Sequence, residues 1–152
     1  MYRQPVRSSM AAQKATIVME TPKLFRAKGY TGAEVPIHFP KGGEARVGPG
    51  PMEMMLLGVG GCTAIDIVDI LAKERETVEA FRVEMEAEKA TELPHVFTRI
   101  HMKYVLRGDV KEANVQRAID LSMEKYCSAS IMLKRGGVDV TTSYEIERPG
   151  RN

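Results

Sequence analysis

Cys62 and Cys127 are the side chains of this sequence best suited to reaction chemistry. A cysteine thiolate is a nucleophile and a redox centre, and two thiols that meet can form and break a disulfide by exchange. The two stand 65 residues apart with no C-x-x-C between them, so spacing does not say whether they meet. Cysteine is also among the most buried residue types and packs as a small hydrophobe, which is the structural alternative to a redox pair. Two features weigh towards reactivity. Gly58, Gly60 and Gly61 precede Cys62 in a helical stretch, each at about 1 kcal/mol relative to alanine, which marks close approach by another helix or a ligand. Cys127 stands just ahead of a short helical segment, SASIMLKR, whose free N–H groups and dipole favour a thiolate.

Other chemistry finds less support. His38, His95 and His101 show none of the paired spacings of zinc ligands, so no metal site is expected. His101 belongs to a charged strand face and reads as solvated. The run G-V-G-G lies inside a helix rather than between a strand and a helix, so it is not a dinucleotide fingerprint. No serine nucleophile elbow is present. Met52, Met54 and Met55 read as core.

The element that must carry Cys62 is a central helix over 51–76, PMEMMLLGVGGCTAIDIVDILAKERE, opened by Pro51, whose missing N–H costs nothing in a first turn. No residue from Met54 to Ile65 is charged, and a helix without a polar face needs cover on all sides. Glu53 at one end and Asp66 and Asp69 at the other leave its apolar run short of the roughly 20 residues a bilayer needs. Before it, residues 1–13 read as an N-terminal arm, and short strands are expected over Lys14–Glu20, Leu24–Tyr30 and Val35–Phe39. Pro36 demotes the third to an edge. Lys41 to Gly50 is loop, with four glycines and one proline.

After the helix, Phe81, Val83, Met85 and Ala87 alternate with Arg82, Glu84, Glu86 and Glu88, and Ile100, Met102, Tyr104 and Leu106 with Arg99, His101, Lys103 and Arg107. This period of two predicts an antiparallel pair with one wet face. Asp109 and Glu112 form a D-x-x-E capping box for a second helix, with Val115, Ala118, Ile119, Ser122 and Tyr126 on one side. Ser128 is the expected cap of the short helix, and Val138–Glu147 closes the chain as a strand. The order of elements is α+β, one domain over 1–152, with no βαβ alternation. One sheet covers one side of an all-apolar helix, so a homodimer in which two such helices meet is the economical solution.

Composition narrows the class without identifying it. Hydrophobic content of 43%, charged content of 28% and a net charge of +2 are ordinary for a globular protein and predict no nucleic-acid footprint. The N-terminus has no apolar run of signal-peptide length, so a cytoplasmic location without membrane attachment is expected.

The run PMEMMLLGVGGCTAIDIVDIL, followed by VQRAIDLSMEKYCSASIML and TTSYEIE, resembles the OsmC/Ohr superfamily over Val35 to Glu147. The resemblance implies an intertwined homodimer, with antiparallel sheets wrapped around long buried central helices. It implies Cys62 as a peroxidatic thiolate that reduces organic hydroperoxides, Cys127 as its resolving partner, a dithiol or thioredoxin-like reductant, and no cofactor. The alternative within the family is a non-peroxidatic member that binds a small apolar ligand or senses redox state. The sequence departs from the family pattern at the activating residues. Met52 stands where a glutamate is expected, with Glu53 one step later. In an ideal helix Glu53 lies about 900° of rotation and about 13.5 Å from Cys62, facing the opposite side. No arginine occupies the expected place before the helix; His38 stands near it, Arg46 is the nearest substitute, and Arg26 lies farther off.

Overall fold

The computed structural model describes residues 11–150 as two compact units, the first ending at Met54 and the second starting at Met55. Residues 1–10 of the expected arm lie outside the described residues, and Ala11–Gln13 have no regular structure. The first unit is an antiparallel sheet of β1 (Thr16–Thr21), β2 (Leu24–Lys28) and β3 (Glu34–His38), with β2 in the middle. Pro36, opposite Arg26, lies on the edge strand β3, where its missing N–H leaves no ladder bond unmade.

Helix α1 (Pro51–Lys73) starts at the end of the first unit and runs into the second. It ends three residues before the expected Glu76. Arg75 takes a left-handed φ of 61°, its N–H returns to Ala72 O at 3.0 Å, and the N–H of Glu76 returns to Leu71 O at 3.0 Å. This pairing of carbonyls by the two residues past the cap is a Schellman stop. At 23 residues α1 is long and apolar enough to pass a length-and-composition test for a membrane span, a test that a buried core helix passes as well. Val59, Gly60, Thr63, Ile67 and Leu71 form its buried face. Met55, Leu57, Ile65 and Val68 are exposed, so the second unit itself covers one side of an apolar helix and leaves the other bare.

The second unit holds β4 (Thr77–Lys89), β5 (Phe97–Asp109) and β6 (Asp139–Glu147), with β5 central. Ile100, Met102, Tyr104 and Leu106 are fully buried, while the opposite face carries ion pairs such as Arg99 with Glu88 and Arg82 with Glu147. The period of two is therefore realised as expected, and the exposed pairs stabilise little individually. Not every sheet contact is antiparallel. β6 runs parallel to β5, because the chain crosses over through helices between them. α1 lies on the apolar face, over Met85 and Met102, which are opposite one another in β4 and β5. A Cβ at Gly60 would come within 2.5 Å of Met85 Sδ, and Thr63 Oγ1 is 3.9 Å from Met102 Sδ. Close approach thus accounts for Gly60 alone; Gly58 and Gly61 face open space in the single chain.

α2 (Glu112–Leu121) is not started by the expected capping box. Asp109 is the last residue of β5, and Lys111 holds the cap position without a side-chain bond. Glu76 caps the helix from another element, accepting the Lys111 N–H at 3.2 Å and the Asn114 side-chain amide at 2.6 Å. α2 passes into one widened π-helical turn, Ser122–Tyr126, and then α3 (Ser128–Arg135). Val115, Ala118, Ile119 and Ser122 are buried as the periodicity predicts, but Tyr126, displaced by the widened turn, is 48% exposed.

Candidate functional site

Cys62 lies one and a half turns before the buried Ile67 of α1 and is half-buried, whereas Cys127 is fully buried. The widened turn ends with the Cys127 N–H bonded to Ser122 O at 2.8 Å and Cys127 in an extended conformation. Cys127, rather than the expected Ser128, is the N-cap of α3. Its sulfur accepts the N–H of Ser130 at 3.3 Å, so it occupies the place a capping oxygen ordinarily fills. Both cysteines are free thiols.

The fold brings them together. Cys62 Sγ, Cys127 Sγ and a carboxylate oxygen of Asp66 all lie within 4.8 Å of one another. Asp66 is one turn beyond Cys62 on the same side of α1, and the buried Ser122 hydroxyl donates to its Oδ2 at 3.0 Å. Burial pushes the Cys62 thiol above its ordinary value, the adjacent Cys127 thiol and the Asp66 carboxylate push in the same direction, and the Ala129 amide pulls it back. No cation of the second unit is among the groups that shift it. An apolar cleft of about 380 Å³ is lined by Met55, Gly58, Val59, Ala129, Met132 and Leu133, residues that flank Cys62 and Cys127 in α1 and α3 without including either cysteine. Gly58 is the turn before Cys62, and Ala129 supplies the amide at its sulfur.

The other expected site residues are in the first unit with partners of their own. Arg46 Nη1 is 3.7 Å from Glu53 Oε2, which also accepts the Gly50 N–H at 3.2 Å, so Glu53 serves the first turn of α1. His38 Nδ1 accepts the Val47 N–H at 3.2 Å, and Arg26 pairs with Glu20 at 2.7 Å. His101 bonds Thr141 and Ser143 on the strand face, and His95 bonds the Ala90 carbonyl. Asp66 and Ser122 were not anticipated. The spacing of Asp66 four residues after Cys62 was the available signal; nothing in the sequence marked the widened turn that aims Ser122.

A family model described as OsmC-like protein matches residues 41–143, a span that holds both cysteines. The chain belongs to the OsmC-like family. Its OsmC-like sequence is 48% identical over 99 residues to Protein YhfA of Escherichia coli strain K12, covering 64% of this chain and 73% of that protein. Among solved structures, a hypothetical protein from Aquifex aeolicus VF5 matches with a TM-score of 0.82 at 27% identity, over 93% of this chain and 100% of that one. An organic hydroperoxide resistance protein OsmC from Legionella pneumophila matches with a TM-score of 0.67 at 15% identity, over 91% of this chain and 99% of that one. That last likeness is one of fold, and it establishes the α+β OsmC-like architecture expected from the sequence.

Proposed function

We propose that this OsmC-like protein is a redox protein of the stress response that reduces organic hydroperoxides with its two thiols. The observation that carries the reading is the approach of the Cys62 and Cys127 sulfurs to within 4.8 Å, with an apolar cleft walled by their neighbours Gly58 and Ala129. Cys62, the accessible thiol, attacks the distal peroxide oxygen as thiolate. The O–O bond breaks, the alcohol leaves with a proton, and Cys62 becomes a sulfenic acid. Cys127 then displaces water from that sulfur to form the disulfide, and a dithiol or thioredoxin-like reductant restores both thiols by exchange. Per cycle one hydroperoxide and two thiols give one alcohol, one water and one disulfide. The cleft walls favour an apolar organic group over hydrogen peroxide. The hydroperoxide resistance protein from Legionella pneumophila shares the fold and lends support to this chemistry.

The acting unit is a homodimer in the cytoplasm, its second copy covering the bare side of α1. Thiol-dependent consumption of cumene hydroperoxide, with dithiothreitol as reductant, tests the activity. The wild-type protein is expected to turn over and Cys62→Ser to be inactive; turnover that survives the substitution refutes the reading.

One observation favours a second reading. Burial, the Cys127 thiol and the Asp66 carboxylate all raise the Cys62 thiol, conditions that slow a peroxidatic cysteine at neutral pH. Under this reading the dithiol senses redox state or the cleft binds an apolar ligand, and peroxide oxidises Cys62 no faster than free glutathione.

A further inference from the structure

Expectation from spacing excluded a metal site, yet the fold assembles three donors of the right chemistry. Two sulfurs and a carboxylate oxygen lie within 4.8 Å of one another, from two turns of one helix and the cap of another. We propose that the reduced protein binds a thiophilic divalent cation, with zinc as the type, through Cys62, Cys127 and Asp66.

The donor set is two soft sulfurs and one oxygen, which leaves the fourth corner of a tetrahedron for water or an exogenous ligand. Zinc holds sulfur at about 2.3 Å and carboxylate oxygen at about 2.0–2.2 Å, so the donors need to draw in by about an ångström from a 4.8 Å span. Cys62, half-buried where Cys127 is fully buried, is the donor with room to make that movement. The surroundings already support coordination. The Ser122 hydroxyl fixes Asp66 from behind at 3.0 Å, as partners of metal ligands do. The Ser130 N–H at 3.3 Å and the Ala129 amide meet the charge that builds on the two sulfurs. Asp66 also forms part of the wall of a charged cleft of about 300 Å³ with Asp69, Glu74, Lys73 and Arg117, so this one of the three donors borders a solvent-filled space.

Binding releases the two thiol protons and changes no oxidation state. Disulfide formation consumes both sulfur donors, so metal occupancy and oxidation exclude one another at this site. Metal binding requires only the reduced dithiol and does not depend on peroxide turnover.

The test uses the full, untagged chain, reduced and freed of metal under anaerobic conditions. Cobalt(II) is added as the spectroscopic probe, and zinc is titrated against a chromophoric chelator. One equivalent per chain with sulfur-to-cobalt charge transfer and tetrahedral d–d bands is expected. Cys62→Ser and Cys127→Ser should each weaken the charge transfer. The isosteric Asp66→Asn should keep it while weakening zinc binding about tenfold or more. Absence of charge transfer in the wild-type protein overturns the proposal, as does zinc affinity unchanged in Asp66→Asn. Peroxide turnover of the metal-free protein is measured separately, so zinc binding without turnover refutes the peroxidase reading alone.

Discussion

The Cys62 thiol sits above its ordinary value of 9.0, first through burial and then through Cys127 and Asp66. The folded chain therefore holds this proton more tightly than the unfolded chain. The associated stability is present in full below about pH 9, and it is lost as pH rises through the folded value. Alkali weakens the fold through this residue, and neutral pH keeps it mostly a thiol. Alkylation of Cys62 by iodoacetamide, followed by peptide mass spectrometry, should reach half its maximal rate above pH 9. Asp66→Asn should lower that midpoint, since it removes a negative charge that opposes the thiolate. A wild-type midpoint at or below 9 contradicts this account. Tyr104 beneath the site is pushed by burial up to about 12, so it remains a neutral phenol across the working range.

Among the elements, α1 and the pair β4–β5 set the position of the thiol. Met85 and Met102 form the floor, and Gly60 lets the helix come down on it. The pair in turn depends on Gly108, which sits opposite Val78 where the register shifts, with a φ of 148°. A Cβ there would run into the carbonyl oxygen of Thr77, a backbone atom that cannot turn aside. Gly108→Ala should destabilise the protein by on the order of 2–4 kcal/mol through strain and overpacking. A urea midpoint that does not fall would exclude this role. A contact between elements also starts α2. A capping box is a local pattern, but the N-terminus of α2 is satisfied by Glu76, a residue distant in sequence.

For the whole molecule, the bare side of α1 is the decisive feature. Ile65 is 66% exposed and Leu57 56% exposed on a helix with no polar face through its first half. Apolar residues so placed drive association when a second copy can bury them. Light scattering at low micromolar concentration should give twice the chain mass. Ile65→Glu should shift the protein towards monomer, because a charge would then be buried at the interface. A wild-type protein of single-chain mass in this experiment rules out the homodimer.

Most of the elements, and the faces of β4 and β5, are legible in the amino-acid order. The alternation in Phe81–Glu88 and Arg99–Arg107, the proline at 51 and the uncharged run from Met54 to Ile65 state local periods, and local periods survive without knowledge of contacts. Both cysteines were legible as candidates for the same reason: their chemistry belongs to the residue type. Packing alone brings them together, adds Asp66 to them, and gives Arg46, Glu53, Arg26 and His38 partners of their own. These are facts of long-range approach, set by the crossover that lays β6 parallel to β5 and by a widened turn before Cys127. No spacing encodes them, because 65 residues of chain separate the two sulfurs and the distance between them is fixed by packing.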